Sequence, residues 1–334
     1  RAALAQWAEV ANVQFTEVEE TAGVVGDIRF AFSGELTGST MGWAYTPNID
    51  SYSYLGQTMN SYTVSAESGD VWLNSSNYND SDWLAGSDNY HTLAHEIGHS
   101  LGLEHSFETS GNGALLTGSE DSFQYTIMSY TGHNSMGYIY TDSGNGSYSW
   151  TELVPSSPML YDILTMQHLY GANVETRTGN DTYSFSSDTP FIKTIWDAGG
   201  TDTLDGSNQT SGVKLDLNEG AYSSVGVRYM DYNSPSAAVD NLAIAFGAEI
   251  ENAIGTAFDD IFTGNALDNI FNGNGGSDQV NGGAGSDTFI FAGHYADYNI
   301  SGSSSSAQVI DGDDTVQLTG VEQLQFADQL YSLA

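Results

Sequence analysis

The sequence has no cysteine, only five prolines, and only six lysines and arginines among 334 residues. Each shortage excludes something. Without cysteine there is no disulfide framework and no thiolate metal site. Six basic residues against 43 acidic ones give a formal charge of −37. That is the wrong sign for a nucleic-acid backbone binder or for docking on an anionic membrane. No run approaches the roughly 18 apolar residues of a spanning helix, so no membrane insertion is expected. The opening Arg1-Ala-Ala-Leu-Ala-Gln-Trp7 lacks the continuous apolar run and cleavage pattern of a signal peptide. Charged residues are nevertheless only 15% of the chain and aromatics 12%, which excludes a disordered acidic tail. The acids are therefore solvated surface, calcium ligands, or both. The length suits about two domains.

The first half reads as mixed α and β. Leu4, Trp7, Ala8 and Ala11 share a helical face at the start. Gln14–Val18, Asp27–Phe32, Gly42–Tyr45 and Asp70–Leu73 alternate as strands do. After the polar stretch Asn74 to Asp88 a helix is expected around Tyr90–Leu101. Ser157-Pro158 then starts another, with Leu160, Ile163 and Leu164 inward and Gly171 ending it. Beyond it no strong helix is found, and a domain boundary is placed near residue 172. Near the end, Gly255, Gly264, Gly273 and Gly282 recur every nine residues. Asp260, Asn269, Asp278 and Asp287 keep the same phase, as do Phe262, Phe271, Val280 and Phe289.

Four of the seven histidines lie between positions 91 and 105. His95-Glu96-Ile97-Gly98-His99 puts two imidazoles on one helical face, able to share a metal. Gly102 can turn the chain back, and His105 then supplies a third nitrogen. Three neutral imidazoles without a thiolate suit one zinc with an open position, and Glu96 is the natural general base for its water. A helix carrying structural histidines is the plain alternative. The glutamate, glycine and third histidine, all at the required spacings, count against it. His91 reads as a neighbour of the site or a surface residue, and His133, His168 and His294 as structural.

The run from His95 to His105 resembles the metzincin zinc proteases. Thr126-Ile127-Met128-Ser129-Tyr130 is similar to their Met-turn, and its Met-Ser-Tyr form resembles the serralysin branch. Gly69–Asn74 and Asp162–Asn173 also look like serralysin segments. The resemblance implies Met128 beneath the zinc, and Tyr130 as an extra zinc ligand that swings away to stabilise the transition state. It implies an α+β metzincin-like catalytic domain over residues 1–172, with a mixed twisted sheet and an active-site helix. An all-β parallel β-roll domain over residues 173–334 would follow. A serralysin has a further strand before the opening helix, and beyond Gly293 the sequence departs from the usual serralysin end.

The nine-residue period resembles the glycine-rich calcium repeat of repeats-in-toxin proteins. Glycine permits tight turns and exposes carbonyls, aspartate adds charged oxygen, and the apolar residue fills a narrow core. Since calcium needs six to eight oxygens, alternate turns must share an ion, which pairs Asp260 with Asp278 and Asn269 with Asp287. The resemblance adds Thr256, Phe258, Asn265, Leu267, Gly273, Gly275, Gly282 and Ala284 to the calcium positions. It also implies calcium loops at Thr176–Thr182 and Trp196–Asp202. Arg177, Gly179 and Gly199 would give carbonyls, and Asp181, Asp197 and Asp202 carboxylates, with the choice between Asn180 and Asp181 open. Glu251 would close a neighbouring site with Asp202, Gly200 and the Glu249 carbonyl.

The implied protein is a monomeric, calcium-stabilised zinc endopeptidase secreted by a Gram-negative bacterium. It would leave through a type I channel by a signal within Ile310–Ala334. Its protein or peptide substrates would lie along the edge strand Trp43-Ala44-Tyr45. A calcium-dependent adhesin with an inactive protease-like domain, and a zinc amidase, are the alternatives. The first leaves the intact base and ligand set unexplained, and substrate panels separate the second.

Overall fold

The computed structural model describes residues 1–47, 49–54, 57–62, 67–77, 83–108, 115–142, 144, 146–229 and 235–333. Part of the polar stretch before Asp88, and Ala334 at the end of the expected export segment, lie outside them. The described residues are mostly β with few helices. They divide into two compact units, Arg1–Thr131 with Val154–Asn173, and Gly132–Leu153 with Val174–Ala334.

In the first unit, helix α1 (Ala2–Val10) buries Ala3, Trp7 and Val10. Trp7 and Ala11 are buried as the sequence face of Leu4, Trp7, Ala8 and Ala11 implied, while Leu4 and Ala8 are only half-buried and Ala3 and Val10 turn inward. The expected strand Gln14–Val18 does not form. It is mostly exposed and has no neighbouring strand among the described residues, so its alternation of side chains has nothing to pack against. A mixed sheet is built from Phe30–Ser33, Val71–Asn74 and Gly42–Ala44, with Val71–Asn74 in the middle. The first pair is parallel and the second antiparallel, so Gly42–Ala44 is an edge. A bidentate pair from Arg29 to the buried Asp70, at 2.6 and 2.5 Å, ties down the start of the central strand.

Helix α2 (Asp88–Ser100) starts where Ser87 accepts the Tyr90 N–H at 3.3 Å. It stops where Gly102 takes a φ of +103° and the Leu103 N–H returns to the Gly98 carbonyl. Helix α3 (Leu160–Tyr170) begins two residues later than Ser157-Pro158 implied. Its cap is made by Asp162, whose carboxylate accepts the Met159 N–H at 2.8 Å. Leu160 and Ile163 are buried as expected, but Leu164 faces solvent and Met166 takes the inward place.

The second unit also holds Gly132–Leu153, which the boundary near residue 172 had placed in the first domain. Within it, His133 Nε2 bonds to the Asp240 carbonyl at 3.0 Å, and Arg228 donates to the Ser135 carbonyl at 2.5 Å. Beside a small sheet of Tyr222–Ser223, Leu242–Ile244 and Lys193–Ile195 and the pair Val227–Arg228 with Ser236–Ala237, the rest is two wound sheets. Successive strands Ile261–Thr263, Ile270–Asn272, Gln279–Asn281 and Thr288–Ile290 alternate between them. Phe262 therefore pairs in register with Val280, and Phe271 with Phe289, all in parallel. Nine residues make half a turn. The central residue of each strand points inward, and Phe262, Phe271, Val280 and Phe289 are all buried. The chain beyond Gly293 stays in these sheets. After the hairpin Asn299–Ser303 with Ser306–Asp311, strands Asp314–Thr319 and Gln323–Gln325 resume the parallel stacking.

Candidate metal centre and acidic turns

Three imidazoles converge in the first unit. His105 Nε2 lies 3.2 Å from His95 Nε2 and 3.1 Å from His99 Nε2. Each ring is held through its other nitrogen. His95 Nδ1 donates to the Ile127 carbonyl at 2.7 Å, and His99 Nδ1 to the Leu103 carbonyl at 2.7 Å. His105 Nδ1 faces Glu108 at 2.8 Å. Spending Nδ1–H on an acceptor leaves each Nε2 lone pair aimed at one point, the tautomer that a metal requires. Burial also holds His99 down at about 4 and His95 well below its usual range, keeping both rings neutral. The donor set fits a divalent metal of borderline softness.

Two further groups face this point. Tyr130 Oη is 2.8 Å from His105 Nε2, on a side chain that is 68% exposed. Glu96 is 6% exposed, and its Oε2 has no hydrogen-bond partner. Burial pushes its carboxyl up to about 8. Gly42 of the edge strand lies against it, since a Cβ there would stand 2.7 Å from Glu96 Oε1. The edge strand thus runs beside the carboxylate, with Trp43 and Tyr45 largely exposed and Ala44 half-buried. Met128 is buried, its sulfur 3.0 Å from where a Cβ of Gly98 would sit, so that turn packs directly on α2. His91 is half-buried and neighbours the site, as the first of its two readings had it. Its ring packs edge-on to Phe123 at 4.8 Å and lies 6.4 Å from that of His95. His168 is exposed, and His294 lies 3.7 Å from Asp328.

Sequence reasoning missed the groups that orient these rings. Backbone carbonyls such as those of Ile127 and Leu103 leave no signal in a sequence. Glu108, three residues after His105, could have been found by spacing. Asp162 could not. Fully buried, it accepts Thr126 Oγ1 at 2.5 Å and the Ile127 N–H at 2.8 Å, besides the Met159 N–H. It therefore holds the N–H side of Ile127, the residue whose carbonyl orients His95. Asp162→Ala leaves three buried donors unpaired and should cost about 3 kcal/mol in denaturant unfolding while weakening metal affinity. Asp162→Asn, which keeps one acceptor oxygen, should cost less. Unfolding of the alanine variant at the parent's denaturant midpoint would refute this anchoring.

In the second unit, carboxylates stack down the turns. Asp181, Asp197 and Asp202 come close enough to share an ion. Asn180 instead accepts the Thr201 N–H at 3.1 Å. Arg177 holds a φ of +44° and stands over the Tyr183 ring at 5.5 Å, while Tyr183 donates to Asp197 at 2.5 Å. The Asp202 N–H donates to Glu251 at 2.6 Å, and Glu249 is exposed. Asp278 accepts the Asp260 N–H at 3.0 Å, and Asp287 accepts the Asn269 N–H at 2.8 Å. These two pairs belong to different sheets and do not meet. Thr256 donates to Asp260, while Phe258 turns its side chain outward. Asn265 ties the neighbouring turns through the Leu217 and Ile250 carbonyls and also accepts the Leu267 N–H. Ala284 donates to the Asn265 carbonyl at 3.0 Å. Gly273 and Gly282 stand where a Cβ would strike Asp278 and Asp287; Gly179, Gly199 and Gly200 lie in the turns of Asp181, Asp197 and Asp202, and Gly275 in the turn before Asp278.

Two buried imidazoles and a half-buried third, beside a glutamate with an unpartnered oxygen, match the equipment of a metallopeptidase. In agreement, residues 44–144 match the family model described as metallo-peptidase family M12B, reprolysin-like. Residues 161–334 match the model described as peptidase M10 serralysin C terminal, and the chain belongs to that family. The match runs through the segment beyond Gly293 that had seemed to depart from it. Serralysin C of Dickeya chrysanthemi is 37% identical over 283 residues, 77% of this chain and 51% of that protein. Serralysin of Proteus mirabilis is 34% identical over 285 residues, 79% and 52%. Metallopeptidase AprA of Pseudomonas marginalis is 32% identical over 281 residues, 78% and 52%. The chain spans about half the length of the curated relatives it matches.

Proposed function

We propose that this chain carries the catalytic and calcium-binding parts of a secreted zinc endopeptidase. Residues 1–172 would be its metzincin-like domain and residues 173–334 a parallel β-roll. The observation that carries the reading is the convergence of His95, His99 and His105 Nε2, each ring fixed from behind, beside the buried carboxylate of Glu96.

Zinc held by the three imidazoles supplies Lewis acidity and a more acidic water at neutral pH. The chain's own groups do the rest. A substrate strand adds to the free edge of Gly42–Ala44, which brings a peptide bond beside Glu96. Glu96 takes a proton from the attacking water and delivers it to the leaving amine. The Tyr130 hydroxyl, exposed and 2.8 Å from His105 Nε2, leaves that ring to donate to the oxyanion as charge develops. Calcium on the acidic turns neutralises the carboxylates of the second unit. Secretion through a type I channel, by a signal within Ile310–Ala334, and a monomeric state complete the reading.

The test is direct. The purified chain should hold stoichiometric zinc by atomic absorption and hydrolyse casein, with both lost to a zinc chelator. A metal-replete chain that leaves casein and other unfolded polypeptides intact would overturn the assignment. Within it, Tyr130→Phe should lower kcat by about tenfold or more with little change in KM, since the ring stays and only a transition-state donor is lost. Weakened binding at unchanged turnover would contradict that role.

A further inference from the structure

The second unit repeats one arrangement at its two ends. At the first, Asp202 ends a turn just before the strand Thr203–Asp205, and Glu251 just before Asn252–Ile254, which pairs with it in parallel. The Asp202 N–H donates to Glu251 Oε2 at 2.6 Å, and the N–H groups of Glu251 and Asn252 return to the Asp202 carbonyl at 3.3 and 2.9 Å. The opposite side of Asp202 accepts the Asp181 N–H at 2.7 Å. Asp202 Oδ2 is buried without a partner.

Asp287 and Glu322 reproduce this in every contact. Asp287 precedes Thr288–Ile290, and Glu322 precedes its parallel partner Gln323–Gln325. The Asp287 N–H donates to Glu322 Oε2 at 2.9 Å, and the Glu322 and Gln323 N–H groups return to the Asp287 carbonyl at 3.1 and 2.9 Å. Asp287 accepts the Asn269 N–H on Oδ1 and, itself fully buried, leaves Oδ2 without a partner.

That oxygen is aimed into a cradle. The point where a Cβ of Gly282 would lie is 2.5 Å from Asp287 Oδ2 and 2.0 Å from the Gly320 carbonyl oxygen. Only a glycine lets these two turns meet with their oxygens crowded together. A buried carboxylate oxygen with no donor, crowded against a carbonyl while a second carboxylate binds the same residue's N–H, lacks a cation. The oxygens are hard, and carboxylate with carbonyl is the donor set for calcium.

We propose that the turn Gly282–Asp287 and the segment Gly320–Glu322 hold a calcium ion between them, with Asp287 and Glu322 as its charged ligands. The proposal rests on the reading of the acidic turns as calcium sites and adds one whose second half, Gly320–Glu322, lies outside the nine-residue repeat. It also gives the final parallel strand a function, because an ion here fastens Gln323–Gln325 to the repeat.

The experiment titrates calcium into the full chain and follows hydrogen exchange of the Gln323–Gln325 amides, alongside those of Asn252–Ile254. Glu322→Gln keeps an acceptor for the Asp287 N–H but removes the charge. It should raise the free calcium needed for half-protection of Gln323–Gln325 by about tenfold, ligand charge being what sets such affinities. The midpoint at Asn252–Ile254 should not move. Glu251→Gln should do the converse. An unchanged midpoint in Glu322→Gln would overturn the site. So would a loss of protection equal with and without a calcium chelator, which would leave Glu322 as a backbone cap. A parent chain that binds no calcium at all would instead sink the underlying reading of the turns.

Discussion

Glu96→Ala should keep its zinc and lose proteolysis by at least about a hundredfold, the typical contribution of a positioned general base. The ligands and the groups behind them, Ile127, Leu103 and Glu108, are untouched by the change, so the three Nε2 atoms should still converge. Only the buried carboxylate is lost. Removing it also empties the space against Gly42, where no side chain intrudes. His99→Ala is the contrasting variant. It deletes a ligand, so zinc content and activity should fall together. Zinc analysis with casein hydrolysis separates the two cases. Substantial hydrolysis by a zinc-loaded Glu96→Ala chain would remove Glu96 from the mechanism.

Calcium removal should have the largest structural effect. The segment from about residue 250 to 293 builds its interior from one buried residue per strand, which makes a thin core. Against it stand Asp260, Asp278 and Asp287, each buried on a turn. Burial, with neighbouring carboxylates adding to it, raises Asp278 to about 7 and Asp202 and Asp287 to about 6. In the unfolded chain these groups ionise near their ordinary values of about 4. The ion-free fold therefore binds more protons than the unfolded chain between those limits, and it loses stability as pH rises through them. Calcium binding energy becomes folding energy here, as in other ion-built domains. A calcium-selective chelator at pH 8 should strip most strand signal from far-ultraviolet circular dichroism, and less at pH 5. Imidazole-bound zinc should survive the treatment. Melting and strand content that ignore calcium would refute a calcium-built second unit.

Some of this could be read directly from the sequence because it rests on short-range periodicity. His95 and His99 share a helical face whatever surrounds them, and Gly102 turns the chain toward His105 by local backbone preference. The nine-residue phase of glycine, aspartate and apolar residues is equally local. It fixed the winding of the strands and the pairing of Asp260 with Asp278 and of Asn269 with Asp287. Local pattern failed where a neighbour was needed. Gln14–Val18 alternates like a strand but has no partner strand among the described residues, and Leu164 has an inward-looking spacing but faces solvent.

Only the tertiary structure decided which groups stand behind the imidazoles. Asp162 lies 67 residues after His95 in the chain, and a single residue of the Met128 turn, Ile127, links them. It likewise decided that Glu322 stacks on Asp287, because the hairpin Asn299–Asp311 interrupts the nine-residue period before the sheet resumes. The reason is the same in both cases. Residue types and spacings record what one turn of helix or one half-turn of winding can bring together. A buried carboxylate meets its donors through packing, which no spacing encodes.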